Sequence, residues 1–283
     1  MPILLTGASG FLGRHLAQLL QERGLPFIGA YHQHAPPFPV IQLDFTDRAA
    51  MLHQLGELHP TAIIHLAAAS SPNWCELHPS ESRLINTEAP VHLAAYCREA
   101  GIPFLFTSTD LVFDGQQAPY EEAWAPSPIC TYGRQKYKAE QGVLLAYPEA
   151  VIARLPLLYG WGGFLQNWVE QMKQGKPVTA FIDEYRSPAF AGDVATGLLL
   201  LLEKYVSGIF HLGGRDPLSR FELGQAIARA FGCDERLVLP AHQADVAMPA
   251  PRPVDVSLSS EKAYALGYTP RSAETALKDL VDS

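Results

Sequence analysis

The sequence predicts an α/β protein: a doubly wound parallel sheet with helices on both faces, followed by a smaller C-terminal α/β lobe. Three observations carry this. Short apolar runs alternate with helical patterns through residues 1–155, as expected of parallel strands joined by crossover helices. The first run, Ile3–Leu5, breaks into Thr6-Gly7-Ala8-Ser9-Gly10-Phe11-Leu12-Gly13 and then a helix pattern. The fourth, Ala62–Leu66, opens into Ala67, Ala68, Ala69 and Ser70. Small residues there leave room at a strand's carboxyl end, where an open α/β sheet takes its ligand.

Leu12, Leu16, Leu19 and Leu20 recur at i, i+4, i+7 and i+8, one apolar stripe of a helix. Strand, glycine turn and helix form the setting in which glycines hold a dinucleotide. Gly7 permits the tight turn, Gly10 lets the backbone approach a pyrophosphate, and Gly13 allows close packing, with the helix N-terminus facing the anion. The spacing is G-x-x-G-x-x-G rather than G-x-G-x-x-G, and a purely structural turn is the alternative. Leu25–Tyr31 is the second strand. Its end, Ala30-Tyr31-His32-Gln33-His34, carries no carboxylate for the ribose hydroxyls of NAD. Arg14 is a candidate for a 2′-phosphate, or an ordinary exposed helix residue, and NADP is preferred over NAD on this ground. His32 and His34 are expected as loop residues rather than phosphate ligands.

Val40–Leu43 is the third strand, ending at Asp44, and a short helix starts at Asp47. His65 is expected to be packed within the fourth strand. Residues 80–100 form one long helix carrying Asn86. Ile102–Thr107 is the fifth strand, running into Ser108-Thr109-Asp110; a Pro-, Gly- and Glu-rich loop spans 114–131, and Val151–Leu155 is the sixth strand. The second half is patterned differently. The loop Tyr159–Gly163 precedes a helix over 164–174, and Val194, Leu198, Leu201 and Leu202 form the stripe of another. Gly208–Leu212 reads as a strand. Ser219 and Glu222 make a capping box for a helix that stops at Gly232, and a short helix ends the chain.

The chain has 283 residues, 48% of them hydrophobic, enough for a sizeable core. A net charge of −8 disfavours nucleic acid or an acidic membrane surface as the main partner, since both select clustered Lys and Arg. The longest apolar run, near Leu198–Leu202, is far shorter than the about 20 residues a bilayer requires. Cys75, Cys97, Cys130 and Cys233 are scattered without metal-ligand spacing and read as reduced thiols. Pro2-Ile3-Leu4-Leu5 shows no basic n-region or cleavage signal. A cytoplasmic protein without a metal is expected.

The chemistry centres on Thr131-Tyr132-Gly133-Arg134-Gln135-Lys136. On a helix, the i, i+4 spacing of Tyr132 and Lys136 puts both side chains on one face. A phenol of pKa about 10 is a poor acid at neutral pH. A nearby cation lowers such a pKa by about 1–3 units, toward the range general acid–base catalysis needs. A surface helix with an incidental Tyr and Lys is the alternative that the pair alone leaves open.

Thr6–Gly13, His65–Ser70, Asn86, Ser108-Thr109-Asp110-Leu111-Val112-Phe113-Asp114-Gly115, Tyr132–Lys136 and Arg154-Leu155-Pro156 follow the order of an extended short-chain dehydrogenase/reductase. The chain resembles the dTDP-4-dehydrorhamnose reductase branch over essentially its whole length, including Arg186-Ser187-Pro188 and Arg252-Pro253. The resemblance implies an NAD(P)-binding Rossmann domain over residues 1–155 and, over 156–283, mainly a substrate-binding lobe from which about 188–212 returns to the first domain. It implies NAD(P)H-dependent reduction of a 4-keto-6-deoxy nucleotide sugar. Tyr132 would donate a proton to the carbonyl oxygen; Lys136 would lower the Tyr132 pKa and hold the nicotinamide ribose. Thr109 would hydrogen-bond the reacting oxygen, or only cap its strand. Asn86 would support the site, or be a simple buried polar group. Gly7, Ser9, Gly10, Phe11, Leu12, Arg14, Asp44, Phe45, Ala67, Ala68, Ala69, Tyr132, Lys136 and Leu155 would hold the cofactor, Asp44 near the adenine and the three alanines as its wall. Arg186 would contact the nucleotide diphosphate, which suits a fork-shaped donor, or sit in a structural salt bridge.

The related sugar 4,6-dehydratases carry Asp-Glu directly after this Thr. Here Asp110 is followed by Leu111, and reduction is preferred to dehydration. Ala68-Ala69-Ser70-Ser71-Pro72-Asn73-Trp74-Cys75-Glu76 and Arg186-Ser187-Pro188 depart from the usual dehydrorhamnose reductase pattern and leave the sugar open. Two readings stand beside the reductase. One is a non-catalytic NADP-binding partner resembling the regulatory β subunit of methionine adenosyltransferase; the other is a different reductase or epimerase of the extended family. A homodimer is left open.

Overall fold

The computed structural model describes residues 2–31, 36 and 38–282; His32 and His34 lie outside the described residues. The first half runs β1 (Ile3–Thr6), α1 (Phe11–Glu22), β2 (Phe27–Tyr31), β3 (Val40–Gln42), α2 (Arg48–Leu58), β4 (Ala62–His65), α3 (Pro72–Leu77), α4 (Pro79–Arg83), α5 (Ala89–Ala100), β5 (Phe104–Thr109), α6 (Thr131–Ala146) and β6 (Val151–Leu155). There follow β7 (Leu158–Tyr159), α7 (Phe164–Lys173), β8 (Val178–Phe181), β9 (Tyr185–Arg186), β10 (Ala189–Phe190), α8 (Ala191–Glu203), β11 (Gly208–His211), β12 (Leu218–Ser219), α9 (Arg220–Ala230), β13 (Val238–Ala241), α10 (Glu261–Tyr264) and α11 (Ala273–Asp282).

Seven strands form one parallel sheet in the order β11-β6-β5-β4-β1-β2-β3. The strand order reverses between β1 and β4, the position where such sheets open a ligand crevice. One apolar layer joins α1 and α8, with Leu16, Leu20, Val194 and Leu198 fully buried. The other includes Leu55, Leu93, Cys97, Ala139 and Val143 from α2, α5 and α6. Thus α8 and β11, late in the sequence, pack on the first half's helix and sheet. A separate cluster, with Val169, Val178, Ile227, Val238 and Leu277, forms the core of the remaining C-terminal elements.

Several boundaries differ from the expected ones. β2 begins at Phe27 because Pro26 has no N–H and Leu25 N is bonded to Leu20 O at 2.9 Å. β5 extends to Thr109 because Ser108 and Thr109 pair with Arg154 and Leu155 of β6. The helix expected over 80–100 is interrupted by a π-turn, Leu84–Glu88, in which the Ala89 N–H reaches back to Leu84 O. Pro90 explains it: its ring would collide with the Asn86 carbonyl in a regular α-helix, and a wider turn relieves that clash. Among the described residues no helix is long and apolar enough to cross a membrane, and no group of His, Cys, Asp and Glu is placed to hold a metal.

Candidate active site

A cleft of about 720 Å³ opens at the carboxyl ends of β1 and β4, within the range of small-molecule sites. One end is shaped by backbone. Gly7 has φ +66°, and a Cβ there would lie 2.8 Å from Ala67 N. A Cβ on Gly13 would lie 2.1 Å from Gly7 O, so only glycine lets α1 start this close to β1. Gly10 caps α1 without a side-chain hydrogen bond, so its own residue leaves the first N–H groups of the helix uncapped. This cradle, with Ala67–Ala69 opposite, fits the pyrophosphate and ring of a dinucleotide.

Beneath it, Thr6 Oγ1 accepts from Leu66 N and Ala67 N, both at 3.2 Å. Both lone pairs are then used, so the Thr6 hydrogen goes to His65 Nδ1, 2.8 Å away. His65 is fully buried, stacked on Phe106 and met edge-on by Phe45. Burial, reinforced by Lys136, lowers its pKa to about 3, and it is a neutral packed residue. Asp44 Oδ1 accepts from Thr46 N and Oγ1 at 2.8 and 2.7 Å, which fixes the turn that brings Asp44 and Phe45 to the cleft.

The other end is built from buried ionisable side chains. Glu76 of α3 accepts the Thr131 N–H at 2.9 Å, and Cys130 Sγ accepts the Gly133 N–H at 3.4 Å, so the start of α6 is held from two sides. A Cβ on Gly133 would come within 2.1 Å of Leu111 O; glycine lets α6 ride directly on the 3-10 turn Asp110–Val112. Asn86, on the π-turn, closes a two-way bond with Ala69: Oδ1 accepts its N–H at 2.9 Å and Nδ2 donates to its carbonyl at 3.1 Å. The same Nδ2 donates to Gln135 Oε1 at 3.0 Å. Asn86 thereby links the alanine wall to the residue before Lys136.

Tyr132 and Lys136 both line the cleft and both are buried. Burial raises the Tyr132 phenol, Cys75, Asp110 and Cys130 raise it further, and Thr109 opposes them. Burial lowers Lys136 to about 7, with Glu140 and Cys75 acting the other way. The expectation that Lys136 pulls the phenol down is not carried by this geometry. Its Nζ lies over the Phe106 ring, 4.0 Å from the centroid, and desolvation dominates both groups. Thr109 Oγ1 accepts the Leu111 N–H at 3.2 Å and donates to Asp110 Oδ1 at 3.1 Å.

Every residue expected in catalysis or in cofactor or substrate binding lines this cleft except Arg14, and Asn86 is buried behind it. Arg14 is exposed, and its Nη2 donates to Gly162 O at 3.4 Å, which takes the guanidinium toward the 159–163 loop. Arg186 reaches the cleft, but its arms are engaged: Nη1 donates to Asp110 Oδ1 at 2.8 Å and Nη2 to Glu184 Oε1 at 3.0 Å. These buried pairs hold it charged, its pKa raised by both carboxylates against burial. Glu184 and Arg252 also line the cleft and were not anticipated. Arg252 Nη2 donates to Asn73 Oδ1 at 3.0 Å, a contact across 179 positions that local pattern cannot reveal. The Arg252-Pro253 motif was the available signal.

A family model described as the RmlD substrate binding domain matches residues 1–283. The probable low-salt glycan biosynthesis reductase Agl14 of Haloferax volcanii is 36% identical over 89% of this chain and 88% of that protein. Methionine adenosyltransferase 2 subunit beta of Bos taurus is 30% identical over 95% of this chain and 84% of that protein. The crystal structure of dTDP-4-dehydrorhamnose reductase from Bacillus anthracis in complex with NADP superposes with a TM-score of 0.90 at 25% identity, covering 100% of both chains. With its seven-stranded Rossmann-like sheet and a family match from end to end, this chain belongs to the RmlD substrate binding domain family, whose members include the dTDP-4-dehydrorhamnose reductases.

Proposed function

We propose that this chain is an NAD(P)H-dependent reductase of a 4-keto-6-deoxy nucleotide sugar. The observation that supports it most is the meeting of Thr109, Tyr132 and Lys136 with the glycine turn in one cleft. A bound reduced nicotinamide would supply the hydride. Gly7, Gly10, Ala67, Ala68, Ala69 and Leu155 would hold that cofactor. Tyr132 is a buried phenol that stays protonated at neutral pH, the state needed to give a proton to a carbonyl oxygen as negative charge develops there. Its high pKa makes it a weak acid, so its catalytic value comes from placement. Lys136, near neutrality in its pKa, supplies a donor one helical turn away. Leu111, where the dehydratases carry Glu, packs in the same apolar cluster as Tyr132 and offers no base, which favours reduction over dehydration.

NADP is the preferred cofactor. The sequence at the end of β2 offers no carboxylate, and the Bacillus anthracis relative was solved with NADP. Purified protein assayed in parallel with NADPH and NADH on a panel of 4-keto nucleotide sugars tests the proposal. Oxidation with at least one sugar, faster with NADPH, is expected; no oxidation with any sugar by either cofactor overturns it. The likeness to methionine adenosyltransferase 2 subunit beta favours a second reading, a non-catalytic NADP-binding partner. Cofactor binding without turnover of any sugar, together with co-elution with a transferase, would select it.

A further inference from the structure

We infer that Arg220, braced by Phe164 and Trp168, is a substrate-binding residue that takes the phosphates of the nucleotide sugar. The inference deepens the reductase reading above and rests on it. Arg220 opens α9, and its backbone N–H donates to Glu184 O at 3.0 Å. This continues the antiparallel register of β9 and β12, in which Leu218 stands opposite Arg186. Opposed residues of such a ribbon share a face, and so do residues two apart on one strand. Arg220 therefore lies on the side from which Glu184 and Arg186 line the cleft. Its guanidinium stands 4.4 Å from the Phe164 ring centroid and 5.3 Å from that of Trp168, one turn further along α7. The two rings hold the planar fork in place by its face.

The edges of that fork meet no acceptor. Among the described residues no hydrogen bond or ion pair engages the Arg220 guanidinium, which is half-buried. Glu184, its cross-strand neighbour, is turned to Arg186 instead, accepting from Nη2 at 3.0 Å, and Asp110 accepts from the other arm of Arg186 at 2.8 Å. Arg252 has only neutral partners, Asn73 Oδ1 at 3.0 Å and Ala250 O at 3.4 Å. Burial lowers the Arg220 pKa, Glu184 opposes this, and Arg186 and Arg252 lower it further. Arg186, Arg220 and Arg252 thus outnumber Asp110 and Glu184, and Arg186 holds both carboxylates. The rings attract the Arg220 cation but accept none of its N–H hydrogens, and a guanidinium drawn from water without an acceptor is unfavourable. A bound anion supplies what is missing, whereas a metal ion would be repelled. A diphosphate carries several oxygens and more than one charge, enough for Arg220 and Arg252 together. The cofactor's own pyrophosphate would be held at the glycine cradle, at the other end of the cleft, so the phosphates left for Arg220 are those of the substrate. The role expected of Arg186 passes to Arg220, because both arms of Arg186 are engaged.

The test needs no turnover. The full chain is saturated with NADP, which keeps nucleotide probes out of the cofactor cradle, and titrated calorimetrically with dTDP, UDP, CDP and GDP. Arg220→Met keeps the stem against Phe164 and Trp168 and removes the charge; Arg220→Lys returns the charge without the fork. For the diphosphate that the wild type binds, we expect Kd to rise about tenfold or more in Arg220→Met and to recover in part in Arg220→Lys, with the NADP Kd changed less than about twofold. On a sugar that the wild type reduces, KM rises by a similar factor in Arg220→Met while kcat changes less than about twofold, because a contact far from the reacting carbon is made equally before and in the transition state. If Arg220→Met does not fold, Arg220→Gln takes its place with the same expectations. Equal diphosphate affinity in wild type and Arg220→Met, or Arg220→Lys binding no better than Arg220→Met, overturns the inference and leaves the reductase reading standing. A wild type that binds none of the four diphosphates overturns both.

Discussion

At one end of the cleft the chain's backbone makes the shape, whereas at the other end buried ionisable side chains make it. Gly7, Gly13 and Ala67–Ala69 act through close approach and left-handed backbone, with His65 kept neutral beneath them. Tyr132, Lys136, Asp110 and Arg186 act through charge and hydrogen bonds in a place where each would be unfavourable alone. The first end tolerates no added atom; the second tolerates no lost partner. The two therefore fail in different ways when mutated.

The largest effect is expected behind the reacting end. Arg154 donates to both oxygens of Glu140 on α6, at 3.0 and 2.7 Å, with both side chains fully buried. Arg154→Met leaves Glu140 buried and unpaired, and urea denaturation should show a loss of about 3–5 kcal/mol. Adding Glu140→Leu should recover much of it. Next come the glycines that distinguish the ends. Gly133→Ala pushes α6 off Leu111 O and should cost about 1–3 kcal/mol in urea denaturation, with a lower kcat at nearly unchanged cofactor affinity. Gly7→Ala strains a left-handed residue against Ala67 and should weaken cofactor binding, read by fluorescence titration, more than it lowers the rate at saturation. If both glycine variants lose the same property, the division between the ends is wrong.

Acid should act through the buried histidines. Burial holds His65 and His211 at about 3 in the folded state, below their ordinary 6.5. The unfolded chain binds those protons first, so their contribution to stability is complete above pH 6.5 and is lost as pH falls toward 3. Urea midpoints should decline across that window, less steeply in His211→Gln. The smallest effect is expected outside the cleft. Arg14→Ala should leave the ratio of NADPH to NADH turnover unchanged, because its guanidinium rests on Gly162 O. A shift of that ratio toward NADH would place Arg14 at the cofactor site.

The backbone end was legible because its signals are local. Gly7, Gly10 and Gly13 sit within one turn, and the alanines follow a strand directly. The i, i+4 spacing of Tyr132 and Lys136 was legible for the same reason, and the structure places both on α6. The contact of Arg14 with Gly162 was not legible, because adjacency in sequence says nothing of the direction a helical side chain leaves its axis. The engagement of Arg186 by Asp110 was not legible: the partners are 76 positions apart, and nothing near either one announces the other. Pro90 did announce the π-turn at Leu84–Glu88, through its missing N–H, and the reading of one continuous helix overlooked it. The lobe's short strand pairs, such as β9 with β12, join two residues each and leave no periodicity to read.

The central claim is that Tyr132 delivers the proton in a working reductase. It is tested most directly by comparing wild type and Tyr132→Phe for NADPH oxidation on the sugar the wild type accepts, with cofactor affinity measured on the same samples. The account predicts a fall in kcat of about 10²–10⁴-fold with cofactor affinity kept. Equal turnover by the two proteins, at equal affinity, would contradict it.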